Sequence, residues 1–358
     1  MPHLHIGLSS HGFGHTAQVA PVLAAVRRRV PGLRVSVATR LPAPALAAFL
    51  GPDVERIEAD VDVGLVMDGP MDVLAEASAA AYAAFHADWP ARVEAMARHL
   101  RALGVDAVLA DVPALPLAAA ARAGIPAAAL CSLNWADIYR HYCGGRPEAA
   151  RIEAELRAAY AGAPFLMPVP SMPMPDLPDR REIGPIARIG RDRRAEIDRT
   201  LGFRDGAKLA LVSTGGMAAA MDLASWPRLS GWHLVVQGAA PPGHPGMTAL
   251  GALPFPVIDL IRSVDAVVTK TGYGFFAEAA CNGTPVVFMR RERWPEEPHL
   301  SDWLRANAAA VEIDRGCLER GDLGGALEAA LAAPCPPVPK PGGVEEAATF
   351  VTRLLAGA

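Results

Sequence analysis

The sequence predicts an α/β fold made of two domains, each built on a doubly wound parallel sheet. Short continuous apolar runs, such as LHIGL (4–8), alternate with Ala- and Leu-rich stretches of helical length, which is typical of strands buried on both faces. The rhythm restarts after the proline-rich segment 164–187, whose prolines resist both helix and central strand. The 358 residues also exceed the ~150 of one typical domain.

The elements follow in order along the chain. For the first domain, 1–165, we predict strands at 4–8, 34–39, 106–111 and 126–131, and helices at 16–29, 73–102 and 115–123. After a linker at 166–187, we predict for the second domain, 188–342, strands at 208–214, 233–238, 265–272 and 284–289, and helices near 257–263, 274–282, 298–306 and 321–332. A last helix, 344–355, lies in a C-terminal segment, 343–358. The alternative is that the proline-rich segment is a long surface loop within one domain.

Composition excludes several classes of protein. With 51% hydrophobic and 20% charged residues, the chain is neither disordered nor fibrous. A formal net charge of -4 argues against nucleic-acid binding. Five scattered cysteines suggest reduced thiols, and neither a signal peptide nor a transmembrane segment is recognisable. We therefore expect a cytoplasmic protein without an integral membrane segment. Peripheral contact with a membrane stays open, and the sequence does not indicate the oligomeric state.

A glycine and histidine loop follows the first predicted strand. It contains His11, Gly12, Phe13, Gly14 and His15, at the carboxyl end of a strand, where α/β sheets bind ligands. The glycines would allow a tight turn and close approach of a ligand, and the helix start favours an anion. A histidine here can act as a general base, His15 more plausibly than His11. The alternative is that His15 only hydrogen-bonds to backbone.

Asp111 ends another strand of the first domain. Its position would let the carboxylate orient a histidine base. The spacing of His11 and His15 is compatible with a metal site, but no third ligand accompanies it. We expect no metal.

A second loop, in the second domain, offers a helix N-terminus. Thr271, Gly272, Tyr273 and Gly274 stand between a strand and a helix, where backbone N–H groups and hydroxyls can hold a diphosphate. Glu278 lies about one turn further on, between apolar neighbours. Its carboxylate could accept hydrogen bonds from two ribose hydroxyls, and the alternative is a solvated helix residue.

Two further segments of the second domain are candidates. Ser213, Thr214, Gly215 and Gly216 form another glycine turn after a strand, either a phosphate contact or an ordinary connection. The segment 290–299, RRERWPEEPH, carries three arginines, which would raise the local positive potential unless they are simply solvated.

Three segments together resemble a known family. HGFGH (11–15), IGPIA (183–187) and SVDAVVTKTGYGFFAEAACNGTPVVFM (263–289) are similar to the corresponding segments of GT-B-fold glycosyltransferases of the MurG-like kind. The chain also resembles the glycosyltransferase-like domain that precedes the kinase in plant L-arabinokinases. The resemblance covers nearly the whole chain and implies two Rossmann-like domains facing a cleft, the first on the acceptor side and the second binding a nucleotide sugar.

The resemblance also implies a reaction. A hexosyl or N-acetylhexosaminyl group would pass, with inversion and without a metal, from a UDP-linked donor to an unidentified small-molecule acceptor. His15 would deprotonate the acceptor, and no cofactor is needed beyond the donor. The family often has a Gln- or Asn-rich pair after the last signature strand. Here Arg293, Glu296 and Glu297 occupy that stretch and become the candidates for contacting the sugar.

Two other functions fit the same residues. A nucleotide-sugar 2-epimerase would need extra carboxylates, which Asp111 and either Glu296 or Glu297 could provide, and would turn over with donor alone. A non-catalytic nucleotide-sugar binder would tolerate the loss of His15. Because fold does not dictate function, both stay open at this point.

Overall fold

The computed structural model describes residues 1–69, 71–203, 206–215 and 222–357. Their contacts divide the chain into two compact units. Unit 1 contains residues 1–68, 72–186 and 342–358, and unit 2 contains 187–341 with Gly69 and Met71. The C-terminal segment therefore belongs to unit 1.

Unit 1 is built on a parallel sheet. Its strands are β1 (His3–Leu8), β2 (Arg34–Thr39), β3 (Glu55–Glu58), β4 (Met67–Asp68), β5 (Asp72–Val73), β6 (Ala107–Asp111), β7 (Ala127–Leu130), β8 (Phe165–Pro168) and β9 (Arg180–Ile183). Seven of these, in the order β3-β2-β1-β6-β7-β8-β9, pair in parallel, while β4 and β5 form a small antiparallel pair. The strand order reverses between β1 and β6, which opens a crevice at their carboxyl ends.

Helices cover both faces of this sheet. They are α1 (Phe13–Arg29), α2 (Ala43–Leu50), α3 (Ala75–His86), α4 (Trp89–Leu103), α5 (Ala114–Ala123), α6 (Trp135–Cys143) and α7 (Ala149–Ala161). Every residue of β1 is buried, as a continuous apolar strand between two helical layers requires. At Gly7 the ring of Pro116, from α5, lies so close that a Cβ would collide with it.

Unit 2 repeats the architecture. Its strands are β10 (Lys208–Val212), β11 (Trp232–Val236), β12 (Met247–Ala249), β13 (Ala266–Lys270), β14 (Val286–Met289) and β15 (Ala310–Ile313). Its helices are α8 (Arg194–Leu201), α9 (Val257–Ser263), α10 (Tyr273–Asn282), α11 (Glu297–Asn307), α12 (Arg315–Arg320) and α13 (Gly324–Ala332). The parallel order β12-β11-β10-β13-β14-β15 reverses between β10 and β13, so a second crevice opens there.

The last helix, α14 (Gly343–Leu355), packs on α1 of unit 1. Glu345 accepts hydrogen bonds from Arg28 at 3.1 Å and from Arg29 at 2.5 Å. The Gly343 N–H also donates to the carbonyl of Pro185 at 3.2 Å. Within the described residues, each helix is too short or too polar to cross a bilayer.

The structure differs from the sequence prediction in several places, and three of the differences have a local cause. The predicted helix 73–102 is two helices, α3 and α4, and α4 restarts with a proline in its first turn, where the missing N–H costs nothing. The predicted helix 321–332 begins only at Gly324, because Gly321, with φ 67°, ends the preceding helix α12. The proline-rich segment contains β8 and β9, with Pro164 and Pro168 at strand ends, where a missing donor is tolerated.

The close packing at Gly7 predicts a stability difference between two glycines. Gly7→Ala should lower the free energy of unfolding by about 1–3 kcal/mol, because the new methyl group overpacks against Pro116. Gly14→Ala, in α1 with nothing within 4 Å of the new Cβ, should leave stability unchanged or raise it by up to ~1 kcal/mol. Urea denaturation of both variants measures this, and equal stability of Gly7→Ala and the wild type would contradict the packing.

Candidate functional site

A histidine and an aspartate meet at the crevice of unit 1. His15 lies in the first turn of α1, Asp111 is the last residue of β6, and Ser9, next to β1, donates its N–H to the Asp111 carbonyl at 2.9 Å. The His15 Nδ1 lies 2.9 Å from the Asp111 Oδ1. The structure thus brings together the two residues that the sequence proposed as a base and its orienting carboxylate.

Burial controls the chemistry of this pair. Asp111 is fully buried, and burial raises the pKa of its carboxyl, while the hydrogen bond and the charge interaction with His15 oppose that rise. A carboxylate accepts hydrogen bonds, so it assigns the proton to Nδ1 and leaves Nε2 as the acceptor nitrogen of His15. His15 keeps 8% of its surface exposed. Such an imidazole is prepared to take a proton from a ligand.

A second carboxylate, Asp62, was missed by the sequence reasoning. Its Oδ2 accepts a hydrogen bond from the Trp135 Nε1 at 2.8 Å, and the Trp135 ring lies 5.8 Å from the His15 ring. Burial raises the pKa of Asp62, opposed by the hydrogen bond from Ser9 and then by the charge of His15. The acidic character of the loop after β3 was the only sequence signal for Asp62, which belongs to no motif.

Cys131 follows β7, the neighbour of β6, and is fully buried. Its Sγ lies 3.8 Å from the His15 Nδ1. Within the described parts of the chain, His15, Asp111 and Cys131 form one group whose ligand atoms all lie within 4.8 Å of one another. Its place at the end of a predicted strand was the sequence signal for Cys131, which we had treated only as one of five reduced thiols.

The glycine loop has another geometry than expected. Gly12 is extended, with φ 170°, and Gly14 lies inside α1, so the tight turn that we predicted is wrong. A Cβ at either position would meet nothing within 4 Å, which leaves space for a ligand beside the helix start. His11 accepts a hydrogen bond at Nδ1 from the Leu65 N–H at 3.2 Å, and Phe13 stacks on a phenylalanine of α2 at 5.8 Å.

At the crevice of unit 2, the turn after β10 is fixed by a glutamine. The Ser213 hydroxyl donates to the Gln237 Oε1 at 2.9 Å, and the Gln237 Nε2 donates to the Gly215 carbonyl at 2.7 Å. Gly215 has φ 83°, a conformation that favours glycine, and Thr214 is buried. Gly216, which we also proposed as a donor contact, lies outside the described residues.

Helix α10 begins at this crevice. Gly272 is its N-cap, and no side chain among the described residues caps it. Thr271 is buried and donates its N–H to the Met289 carbonyl at 2.9 Å. The first amides of a helix have no intrahelical acceptor, so the start of α10 favours an anion.

Glu278 is buried in α10 and forms an ion pair. It is 7% exposed, and its Oε1 accepts a hydrogen bond from the Arg188 Nε at 2.6 Å. Burial raises the pKa of Glu278, and Arg188 opposes the rise. Asn282 donates from Nδ2 to the carbonyls of both Arg188 and Glu278. Glu278 is therefore not a solvated residue, and Arg188, which the sequence reasoning missed, orients it.

Lys270 ends β13, three residues before the start of α10. Burial and the charge of Arg291 lower its pKa to about 8, and Glu296 opposes that change. The Arg291 guanidinium lies 3.6 Å from the centre of the Trp294 ring. We had not selected Lys270, although a lysine at the end of a strand beside a helix N-terminus was a visible signal.

In the segment after β14, the three residues that the sequence proposed as sugar contacts have different surroundings. Glu297 is buried and accepts two hydrogen bonds from Arg290, at 2.9 and 2.6 Å, so its carboxylate holds the start of α11. Arg293 is exposed. Glu296 is 5% exposed; its Oε2 accepts from the Trp294 Nε1 at 3.1 Å, and its Oε1 has no partner within the described ranges. Glu296 is therefore the one of the three whose carboxylate has a buried oxygen without a hydrogen-bond partner among the described residues.

Comparisons with known proteins identify the fold. No protein-family model matches the chain. An L-arabinokinase of Arabidopsis thaliana is 28% identical over 339 residues, which are 92% of this chain and 32% of that protein. The chain thus spans about a third of the length of this relative.

Solved structures match over the full length. The glycosyltransferase of kitacinnamycin is similar with a TM-score of 0.62 and 20% identity, over 99% of this chain and 95% of that one. UGT89C1 of Arabidopsis thaliana, solved with UDP, is similar with a TM-score of 0.58 and 15% identity, over 99% of this chain and 100% of that one. The chain has the two-domain GT-B fold of glycosyltransferases, as the sequence predicted.

Proposed function

We propose that this protein is a glycosyltransferase that moves a sugar from a nucleoside diphosphate donor to a small-molecule acceptor, with inversion and without a metal. The observation that carries the proposal is the 2.9 Å contact between His15 and the buried Asp111 at the strand-order reversal of unit 1. A histidine oriented by a carboxylate at the carboxyl ends of the strands, where α/β sheets bind ligands, favours a catalytic role over binding alone. The chain's similarity to solved glycosyltransferases supports this choice.

Unit 1 supplies the base in this proposal. The His15 Nε2 takes the proton of an acceptor hydroxyl, and the freed oxygen attacks the anomeric carbon opposite the leaving group. The carbon–oxygen bond to the diphosphate breaks, and its electron pair leaves with the diphosphate. Asp111 stabilises the imidazolium that forms, as an orienting carboxylate does in other acid–base pairs.

Unit 2 holds the donor. The amides at the start of α10 and the Lys270 ammonium would stabilise the charge on the departing diphosphate. Glu278 would accept hydrogen bonds from the ribose hydroxyls, held in place by Arg188. Glu296, whose buried Oε1 lacks a hydrogen-bond partner among the described residues, would contact a hydroxyl of the donor sugar. We propose uridine as the base of the donor nucleotide, which is supported by the similar structure that contains UDP. The hexosyl-type sugar, the peripheral membrane contact and the cytoplasmic location stay predictions from the sequence.

Removing the base tests the catalytic part. His15→Ala should lower the transfer rate by about 10²–10⁴-fold, measured as release of nucleoside diphosphate with the best donor and acceptor from a screen. The matched control is His86→Ala, because His86 is also a buried histidine bound to a carboxylate, at 2.7 Å from Glu155, but lies on α3. Full activity of His15→Ala would contradict the proposal, and turnover of the donor without any acceptor would indicate the epimerase.

The low pKa of Lys270 predicts how donor binding depends on pH. The ammonium binds the diphosphate and the neutral amine does not, so the affinity for UDP should be constant below pH ~7 and fall as the pH rises through about 8. Lys270→Arg keeps the charge at every pH and should remove this dependence. Isothermal titration between pH 6.5 and 9 measures both proteins; the same pH dependence in Lys270→Arg would exclude Lys270 as its source.

A further inference from the structure

The group formed by His15, Asp111 and Cys131 has the chemistry of a transition-metal site. It combines an imidazole nitrogen, a carboxylate oxygen and a sulfur, all three residues are buried, and their ligand atoms lie within 4.8 Å of one another. Nitrogen, oxygen and sulfur together are a ligand set for Zn²⁺, which takes three protein ligands and leaves a fourth position for water.

The distances fit a tetrahedral ion after a small adjustment. Zinc binds nitrogen and oxygen at about 2.0–2.2 Å and sulfur at about 2.3 Å, so its ligand atoms are about 3.3–3.7 Å apart. The His15 Nδ1 lies 3.8 Å from the Cys131 Sγ and 2.9 Å from the Asp111 Oδ1. The ion would take the place of the proton that now joins His15 and Asp111, and both of these distances lie within ~1 Å of the values for zinc.

Two independent observations favour a cation at this place. The Oδ2 of Asp111 is buried and has no hydrogen-bond partner among the residues that the structure describes, which is costly for a carboxylate. A second carboxylate, Asp62, is connected to the same group through Trp135, whose ring contacts His15. Two carboxylates beside one imidazole leave the group short of positive charge.

We propose that this group binds Zn²⁺, and that the bound ion blocks the base. Coordination requires the lone pair of Nδ1, so the imidazole proton moves to Nε2, the nitrogen that would otherwise accept a proton from a ligand. The thiol of Cys131 loses its proton to solvent, so binding of one ion releases one proton. The ion is a reversible inhibitor in this proposal and not a cofactor.

Metal binding can be measured without any substrate, so this proposal can fail while the transferase proposal stands. The probes are Zn²⁺ alone, titrated calorimetrically in buffers of different ionisation enthalpy, and Co²⁺, whose bond to a thiolate gives a charge-transfer absorption in the near ultraviolet. We expect one ion per chain, one proton released per ion, and the thiolate absorption band with Co²⁺.

The variants identify the ligands. Cys131→Ser should weaken Zn²⁺ binding by about tenfold or more and abolish the Co²⁺ band, because the soft ligand is lost. Cys143→Ser is the matched control, since Cys143 is also a buried cysteine of unit 1 but lies outside the group. If Cys131→Ser does not fold, as judged by thermal unfolding, Cys131→Ala replaces it. No binding to the wild type, or unchanged binding by the folded Cys131 variant, would overturn the proposal.

Discussion

The reversal of strand order in each parallel sheet is the constraint on which the rest of the structure depends. The connections on the two sides of the reversal leave in opposite directions, so two adjacent strand ends have no helix packed over them. In unit 1 these are the ends of β1 and β6, and in unit 2 those of β10 and β13. Every residue to which we assign chemistry follows one of these strands or an adjacent one, or is held against them.

Burial at these places determines the properties of the polar groups. Burial raises the pKa of the carboxyl groups of Asp111, Asp62 and Glu278. In each case a different partner or set of partners opposes the rise. Lys270 shows the reverse, since burial and Arg291 lower its pKa to about 8. Perturbed groups of this kind are concentrated at functional sites because catalytic acids and bases need pKa values matched to their task.

The sequence predicted the fold class because both sheets are made of continuous apolar strands. It singled out Asp111 because this residue ends β6, and His15 and the start of α10 because they belong to the segments that follow β1 and β13. It did not predict α6 and α7, where Gly144, Gly145 and Pro147 interrupt the helical pattern.

Other residues of the two sites depend on contacts between distant parts of the chain. Arg188 is 90 residues away from Glu278, and Asp62 is 73 away from Trp135. No local pattern contains such pairs, so only the folded chain shows them. The role assigned to Glu297 changed for a different reason, because the side chain of Arg290, seven residues away, binds its carboxylate at the start of α11.

The central claim is that unit 2 holds a nucleoside diphosphate against α10 and Glu278. The most direct measurement is thermal unfolding of the wild type, Glu278→Gln and Asp259→Asn with a panel of nucleoside diphosphates and their sugars. Asp259 is the control, a buried carboxylate of unit 2 that accepts from Arg193 at 3.2 Å. The account predicts that one nucleotide, at ~100 times its dissociation constant, stabilises the wild type and Asp259→Asn by ~2.7 kcal/mol and Glu278→Gln by much less. Stabilisation by none of them, or equal stabilisation of Glu278→Gln, would contradict it.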